Sequence, residues 1–312
     1  MGRFGNVILV NGKTSYNLDA KKGEVVRFYI TNSANTRTFN IKIPNAKMKV
    51  IGSDGGAYEK EYFADNIIIS PSERYIVDVL FDEQGMQTIN HETPLKTYEI
   101  GEGAVADENI ESESASSFME LKENSYVQDE VASLKNYIEK SPDAEISIGL
   151  KMSGMMNDNT MQNMDHSMHG GMGMMHAGED EGIEWEDTMA MMNFGSTTNN
   201  IKWMLTDKKT GKTNMDINYR WKKGDYIKIR LFNDPNSMHP MQHPIHFHGN
   251  RFLILSANGE KNENMVWKDT VLVPKGATVD ILLEASNRGE WMAHCHIAEH
   301  LESGMMTSFE VE

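Results

Sequence analysis

One segment near the C-terminus carries more chemistry than any other part of this chain, and it reads His294-Cys295-His296-Ile297-Ala298-Glu299-His300-Leu301-Glu302-Ser303-Gly304-Met305. It contains the single cysteine of the chain. A shorter segment upstream reads His243-Pro244-Ile245-His246-Phe247-His248. The two segments hold six of the chain's 11 histidines. Such a concentration of imidazoles with a thiol predicts metal binding, because His and Cys are the side chains that hold zinc and copper.

The two His-x-His pairs predict two sites that share one strand. If both segments are extended there, successive side chains point to opposite faces, so Cys295 faces away from His294 and His296. On the face of Cys295, a thiolate, two imidazoles and a thioether make the ligand set of a blue copper centre, supplied by His243, Cys295, His300 and Met305. On the other face, four imidazoles form half of a second site, and they belong to His246, His248, His294 and His296.

Zinc and covalent catalysis are the alternatives for this cysteine. Zinc also binds His and Cys, and one cysteine among histidines occurs in catalytic zinc sites. The thioether of Met305 favours copper, because it is a soft ligand and a poor one for zinc. A Cys-His nucleophile is disfavoured, because imidazoles on the opposite face cannot act as a general base for the Cys295 sulfur.

In spacing and order, the two motifs resemble the C-terminal copper motifs of the multicopper oxidases, the family of laccases, cuprous oxidases and ferroxidases. The resemblance implies that the chain corresponds to the second and third cupredoxin domains of such an enzyme. It assigns the mononuclear type 1 copper to His243, Cys295, His300 and Met305. It assigns His246 to type 2 copper, and His248, His294 and His296 to the type 3 coppers of the trinuclear cluster that reduces dioxygen.

The resemblance also exposes a gap in the second site. The family's trinuclear cluster needs eight histidines, and four of them come from two His-x-His pairs of the first domain. The other histidines here never stand two residues apart; they are His91, His166, His169, His176 and His239. Residues 4–12 resemble the opening strand of the family's middle domain. We therefore expect a three-domain oxidase without its first domain, with a complete type 1 site and half of the trinuclear site.

Composition agrees with a two-domain copper protein. A chain of 312 residues suffices for about two domains of ordinary size. One cysteine excludes intramolecular disulfides. The net charge of −16 disfavours nucleic acids and anionic membranes and favours cationic substrates, including metal ions. No run reaches the roughly 18 apolar residues of a membrane span, and the N-terminus reads as a strand and not as a signal peptide. A periplasmic, cell-surface or secreted location is what the resemblance implies.

Short β-branched and aromatic runs between turn signals predict an all-β fold of two cupredoxin-like Greek-key sandwiches. We expect a first domain over residues 1–100 without copper ligands and a C-terminal domain over 195–312. The predicted strands cover residues 25–30, 75–81, 226–232, 252–255, 269–274 and 278–283. Turns are expected at Asn11-Gly12 and Asp54-Gly55-Gly56.

Residues 101–194 are expected to connect the two domains or to be inserted between them. The first part is acidic and rich in serine, and residues 127–137 have the spacing of an amphipathic helix. Twelve of the chain's 24 methionines then fall between Met152 and Met192. Few aliphatic residues accompany them, which argues against a packed core. Thioethers and imidazoles favour Cu(I), so a labile copper site is expected among Met155, Met156, Met161, Met164, His166, Met168, His169, Met172, Met174, Met175 and His176. The alternative is a flexible Met-rich linker that binds no metal.

The predicted activity is copper-dependent oxidation of Cu(I), or of phenols or Fe(II), coupled to reduction of dioxygen to water. Family members with Met-rich inserts tend to be cuprous oxidases of copper tolerance, whereas the local sequence after His300 resembles laccase-like members. Cys295, His294 and His296 would carry electrons between the two sites, and Glu299 and Glu302 are candidates for proton delivery.

Three other functions compete with this prediction. One is a blue copper electron-transfer or copper-binding protein without oxidase activity. Another is an oligomer that completes the cluster between chains, which is disfavoured because only one set of His-x-His pairs exists here. A mononuclear oxygenase of the cupin type would leave Cys295 and Met305 unexplained.

Overall fold

The structure is a computed structural model, and it describes residues 2–152, 182–187 and 197–312 of the chain. Its described part is built mainly from strands, which form two β-sandwiches joined by a short helical segment. The first sandwich contains β1 (Ala20–Lys22), β2 (Glu24–Thr31), β3 (Phe39–Lys42), β4 (Lys47–Ser53), β5 (Gly56–Ala64), β6 (Ile67–Ile69), β7 (Arg74–Phe81), β8 (Gly85–Glu92) and β9 (Thr97–Asn109).

Two sheets face each other in the first sandwich, one with the order β1-β9-β8-β3-β6 and one with the order β2-β7-β4-β5. Neighbouring strands are mostly not consecutive in the sequence, which is how Greek-key connections arrange a sandwich. The core between the sheets is aliphatic, and Val50, Ile69 and Val77 are at most 1% exposed. This sandwich therefore has its own buried core.

The segment after the first sandwich contains α1 (Glu113–Ser116), α2 (Ser125–Ala132) and a 3-10 turn (Lys135–Glu139). One face of α2 carries Val127 and Val131, which pack with Leu134 against Leu253 and Trp267 of the C-terminal sandwich. The same segment also contacts the first sandwich, where Asn124 Nδ2 donates to the carbonyl oxygen of Tyr58 at 2.6 Å. The helical segment thus packs on both sandwiches at once.

The C-terminal sandwich contains β10 (Ala144–Met152), β11 (Ile201–Asp207), a 3-10 turn (Asn214–Asp216), β12 (Asn218–Trp221), β13 (Tyr226–Asn233), β14 (His243–Phe247), β15 (Arg251–Ala257), β16 (Glu260–Lys261), β17 (Trp267–Lys268), β18 (Thr270–Val273), β19 (Thr278–Glu284), β20 (Gly289–Cys295), α3 (Ala298–Glu302) and β21 (Met306–Val311). One sheet has the order β11-β10-β13-β19-β15-β16, with β17 paired to β15, and the other has the order β12-β21-β20-β14-β18. β21 alternates buried and partly buried residues, with Thr307, Phe309 and Val311 inward.

The fold confirms the predicted strands and helix and shifts the expected boundaries. All six predicted strands are present as β2, β7, β13, β15, β18 and β19, and α2 with the 3-10 turn covers the predicted helical stretch. The boundary at residue 100 falls inside β9, which continues to Asn109 in the first sandwich. Residues 144–152 of the expected connecting region form β10, which pairs with β11 and β13 of the C-terminal sandwich. The composition of residues 144–152 did not indicate β10, because its partners β11 and β13 are distant in the sequence and such pairing leaves little local signal.

The expected opening strand over residues 4–12 is not formed. Val7 and Leu9 are more than half exposed, so the alternating pattern has no sheet to pack against. Only an isolated bridge between Val10 and Lys13 closes the predicted turn, with Asn11 and Gly12 in the left-handed region at φ of 52° and 76°.

Among the residues that the structure describes, no helix has the length and apolar character to cross a membrane.

Candidate metal centre

Both histidine motifs lie at the ends of two neighbouring antiparallel strands, β14 and β20. In their register, Ile245 is opposite Cys295 and His246 is opposite His294. Directly opposite residues share a face of the sheet, and so do residues two apart on one strand. His243 therefore lies on the face of Cys295, and His248 on the face of His294. The side chains of the two motifs thus divide between the two faces of this strand pair.

The face of Cys295 forms a compact triad of ligand atoms. Cys295 Sγ is 3.4 Å from His300 Nδ1 and 3.7 Å from His243 Nδ1, and the two Nδ1 atoms are 3.2 Å apart. A point equidistant from the three atoms lies about 2 Å from each, close to metal–nitrogen bond lengths in proteins. Among the described residues, this is the one group of three or more His, Cys, Asp or Glu side chains whose ligand atoms all lie within 4.8 Å of one another.

The burial of the triad fits a bound cation. All three residues are at most 1% exposed. Burial lowers the pKa of His243 well below its ordinary value, so the imidazole is neutral, the form that ligates a metal. Burial raises the pKa of the Cys295 thiol to about 12, so the thiolate forms only when a cation replaces the proton. A donor set of two imidazoles and a thiol suits copper.

Met305 reaches the same core through a tight turn after α3. Its backbone N–H donates to the carbonyl oxygen of His300 at 2.9 Å, and its carbonyl oxygen accepts from the N–H of Cys295 at 3.1 Å. Gly304 has a φ of 103°, which favours glycine, and it permits this turn. Met305 is fully buried in the core cluster that includes Cys295.

The indole of Trp203, which the sequence did not predict as part of the site, packs against the triad. Trp203 of β11 stacks on His300 with ring centroids 3.9 Å apart and meets His243 edge-on at 5.2 Å. Trp203 is 2% exposed, so it closes this side of the triad to water. It is far from both motifs in the sequence, and the pairing of β11 with β10 and a hydrogen bond from its backbone N–H to the carbonyl oxygen of Ser303 at 3.2 Å place it at the site.

The face of His294 gathers the other four imidazoles in a looser arrangement. The ring centroid of His246 lies 4.7 Å from that of His248, 5.7 Å from that of His294 and 5.9 Å from that of His296. Nε2 of His248 is 2.9 Å from Nε2 of His294. Two bare ring nitrogens cannot be stable at that distance without a proton or a metal ion beside them. The grouping predicted for these four histidines is therefore present, as an open cluster.

Hydrogen bonds orient two of these rings. His294 Nδ1 lies 2.8 Å from the carbonyl oxygen of Cys295, and His246 Nδ1 lies 3.0 Å from the carbonyl oxygen of Asp269. A carbonyl oxygen only accepts, so these contacts assign the proton to Nδ1 and leave Nε2 free to ligate. Burial lowers the pKa of His294 to about 4, and it also lowers the pKa values of His248 and His296. His248, His294 and His296 are therefore neutral near pH 7, which is the form that ligates a metal.

A carboxylate not predicted from the sequence stands beside His246. Asp269 Oδ1 is 3.4 Å from His246 Nδ1, and both Asp269 oxygens accept from Arg74 of the first sandwich. Burial works to raise the pKa of Asp269, but hydrogen bonds from His246 and Arg74 outweigh it and hold that pKa below its ordinary value. Asp269 is therefore ionised near pH 7.

The two carboxylates predicted for proton delivery differ in their surroundings. Glu299 accepts from Asn35 Nδ2 at 2.6 Å and lies 3.7 Å from Arg3, so it is tied to the first sandwich. Glu302 is exposed on α3. Their role in proton delivery stays a prediction.

The remaining histidines take different positions. His91 is fully buried in the first sandwich, where its Nδ1 accepts from the N–H of Asn40 and its ring stacks on Tyr98. Nε2 of His239 lies 3.6 Å from Glu184. The expected labile copper ligands from Met155 to His176 lie outside the described residues.

Comparisons with known proteins agree with the geometry. Two sequence profiles described as multicopper oxidase match residues 3–91 and 183–312. The multicopper oxidase mco of Staphylococcus haemolyticus is 25% identical over 313 residues, which cover 99% of this chain and 53% of that protein. Copper resistance protein A of Escherichia coli is 36% identical over 91 residues, 29% of this chain and 14% of the relative.

A solved structure shows the same fold. The multicopper oxidase of Campylobacter jejuni, described as a metallo-oxidase, superposes with a TM-score of 0.65 at 23% identity. The match covers 99% of this chain and 58% of that one. The chain therefore spans little more than half the length of these full-length relatives.

A buried His2Cys triad with a neighbouring methionine, on a β-sandwich of this topology, defines the cupredoxin class of copper proteins. With both profiles matched in order and the second imidazole cluster on the same strand as the triad, the chain belongs to the multicopper oxidase family.

Proposed function

We propose that this chain supplies the type 1 copper site and half of the dioxygen site of a multicopper oxidase. In that enzyme, one-electron oxidation of a reductant is coupled to four-electron reduction of dioxygen to water. One observation carries the proposal: consecutive residues of β20 serve two ligand clusters, with Cys295 in the triad and His294 among four imidazoles. Copper held by these residues would supply the one-electron redox chemistry.

The residues divide into the roles that the family resemblance implies. His243, Cys295, His300 and Met305 would hold type 1 copper, whereas His246, His248, His294 and His296 would hold type 2 and type 3 copper. The peptide bonds from Cys295 to His294 and His296 join the two clusters by a short covalent route, which we assign to electron transfer. The open cluster supports a partner domain that contributes four further imidazoles, because four alone leave the family's ligand set half filled.

The proposed substrate is inferred from charge and composition. A net charge of −16 favours a cationic reductant, and the Met-rich sequence between Met152 and Met192 favours Cu(I) over phenols or Fe(II). The periplasmic, cell-surface or secreted location stays a prediction from family resemblance.

The alternative, an electron-transfer protein without oxidase activity, leaves the second cluster without a role. A copper titration of the purified chain separates the two functions. The oxidase proposal expects a blue thiolate-to-copper band from the first copper bound, followed by a weaker copper site without strong colour. His294→Gln should abolish the second site and keep the blue band, whereas Cys295→Ser should do the reverse.

Electron paramagnetic resonance and equilibrium dialysis would count the two kinds of copper, and oxygen uptake with Cu(I) would be followed in parallel. The chain alone should show no sustained oxygen uptake, because half of the dioxygen site is missing. A single copper per chain that is insensitive to His294→Gln would overturn the oxidase proposal.

A further inference from the structure

A charged turn of the first sandwich contacts β17 of the C-terminal sandwich, next to Asp269. The turn at residues 53–56 meets β17, where the N–H of Gly55 donates to the carbonyl oxygen of Trp267 at 2.8 Å. A Cβ on Gly55 would lie 2.7 Å from that oxygen, so only glycine permits the approach. Lys268, the next residue, donates to Ser53 Oγ and lies 3.1 Å from Asp54. The backbones of the two sandwiches are therefore in direct contact just before Asp269.

Arg74 clamps Asp269 from the first sandwich. Its Nη1 and Nη2 atoms donate to Oδ1 and Oδ2 of Asp269 at 2.6 and 2.7 Å, a bidentate pair with a fixed direction. The guanidinium is itself held, since it donates to the carbonyl oxygens of Ser72 and Asp54 at 3.1 Å each. The backbone N–H of Arg74 also donates to Asp54 Oδ1 at 2.8 Å. Both ends of this arginine are thus fixed before it reaches Asp269.

Asp269 in turn surrounds one edge of the His246 ring with acceptors. Its carbonyl oxygen accepts from the N–H of Phe247 at 2.9 Å and from His246 Nδ1 at 3.0 Å. Its carboxylate lies 3.4 Å from the same Nδ1 and accepts from Thr270 Oγ1 at 2.9 Å. Thr270 is the strand partner of His246, so the pairing of β14 with β18 delivers both residues to the ring. Thr270 Oγ1 also lies 3.0 Å from Nδ1, and because its hydroxyl proton is donated to the Asp269 carboxylate, it is an acceptor towards the ring. These contacts together favour a proton on Nδ1 and a free Nε2.

We propose that Arg74 is a positioning residue for His246. By fixing Asp269, it holds the imidazole in the Nδ1–H tautomer with Nε2 directed into the open cluster. The inference rests on the proposed role of His246 as a metal ligand. It also gives the first sandwich, which has no ligand motif of its own, a part in the dioxygen site of its neighbour. A carboxylate that orients a ligating histidine is a general feature of metal sites, and here the carboxylate is itself set by another domain.

The test uses the metal-free chain labelled with 15N-histidine, so that it does not depend on copper binding. Long-range 1H–15N spectra at about pH 8, above the ordinary histidine pKa of about 6.5, distinguish the two neutral tautomers of each ring. A His246→Gln variant identifies the His246 signals. Wild type should show His246 in the Nδ1–H form alone. Arg74→Gln should give a mixture with the Nε2–H form, and Arg74→Lys, which keeps the charge but not the bidentate pair, should lie between them.

Arg230→Gln is the matched control. Arg230 makes the same bidentate pair with Asp280 at 2.7 and 2.9 Å, with similar exposure, but its partner contacts no histidine of the cluster in the described structure. The control should leave the His246 tautomer unchanged. Asp269→Asn replaces the carboxylate by an amide, keeps the carbonyl oxygen and should also give a mixture.

Two results would overturn the inference. A single Nδ1–H tautomer in both Arg74→Gln and Asp269→Asn would mean that the backbone carbonyl alone sets the ring. An equal change in Arg230→Gln would mean that general loosening, and not Arg74, is responsible. Failure of the copper titration with an intact tautomer effect would instead reject the proposed oxidase and leave the positioning role standing.

Discussion

Cys295 and His294 are consecutive residues of β20, yet their side chains belong to two different clusters. Cys295 Sγ lies 3.4 Å from His300, whereas His294 Nε2 lies 2.9 Å from His248 on the other face of the strand. Because β20 supplies a ligand to each cluster from consecutive residues, only a few covalent bonds separate the two clusters. The two clusters therefore cannot move apart without breaking the pairing of β20 with β14 and β21.

Met305→Leu should raise the reduction potential of a copper bound at the triad. An axial thioether stabilises the oxidised metal, so its removal favours the reduced form. A redox titration of the blue band measures the change. Met265→Leu is the control, because Met265 is equally buried but lies in the core cluster with α2. Both swaps should cost less than about 1.5 kcal/mol of stability. An unchanged or lower potential in Met305→Leu alone would reject Met305 as a ligand.

Gly249→Ala, in the loop after β14, should lower the free energy of unfolding more than Gly259→Ala, a glycine replacement at a similar positive φ. A Cβ on Gly249 would lie 2.2 Å from the ring of Trp291, and its φ is 65°. Gly259 has a φ of 84° and open space around its Cβ position, so Gly259→Ala measures the backbone term alone. We expect the difference between the two variants to be about 1–3 kcal/mol in the free energy of unfolding by urea. Equal losses would show that Trp291 moves aside freely.

Lys268→Met should destabilise the chain by about 3–5 kcal/mol, because it removes the cation beside the buried carboxylate of Glu73 and leaves the buried Asp54 with Arg74, 3.6 Å away, as its cation. Lys60→Met, at an exposed ion pair with Glu123, should change stability by no more than about 0.5 kcal/mol. Adding Glu73→Gln to Lys268→Met should restore part of the loss. Urea unfolding of the four proteins measures this, and a loss below about 1 kcal/mol in Lys268→Met would contradict it.

Stability of the metal-free chain should fall as the pH falls from about 6.5 to about 4, in part because of His91. Burial lowers the pKa of His91 to about 4 in the folded state, against about 6.5 in the unfolded chain. Below pH 6.5 the unfolded state binds the proton more readily, so the contribution of neutral His91 is full above that pH and is lost towards pH 4. The loss amounts to about 3 kcal/mol.

Urea unfolding across this pH range, with wild type and His91→Asn, isolates the histidine. The asparagine oxygen can accept the N–H of Asn40 in place of Nδ1 but does not titrate there. The variant should therefore show a shallower loss of stability with falling pH. If stability fell equally with pH in wild type and in His91→Asn, the pH dependence would belong to other groups.

Val131→Ala should cost about 1.5–3 kcal/mol, because Val131 is fully buried where α2 meets the C-terminal sandwich. Asp129→Ala on the exposed side of the same helix should stay within about 0.5 kcal/mol. Thermal or urea unfolding compares them. If Val131→Ala left the free energy of unfolding unchanged, the helical segment would contribute little to the packing of the two sandwiches.

The sequence alone determined the ligand types and their division between two faces. His-x-His spacing and strand alternation are local properties, so they suffice to turn Cys295 away from His294 and His296. The ligand types alone group the thiol with two imidazoles and a thioether as a set that suits copper. The strands with strong apolar alternation, such as β13 and β19, were predictable for the same reason.

Tertiary structure decided which distant residues reach the site and where the sandwiches begin and end. Trp203 on His300, Arg74 on Asp269 and Asp269 on His246 depend on strand pairing across long sequence separations, which local patterns do not encode. The same holds for β10, which has the composition of a connecting region and joins the C-terminal sheet only through its pairing with β11 and β13. Residues 4–12 show the converse, because an alternating pattern forms a strand only where a neighbouring strand is available to complete its hydrogen bonds.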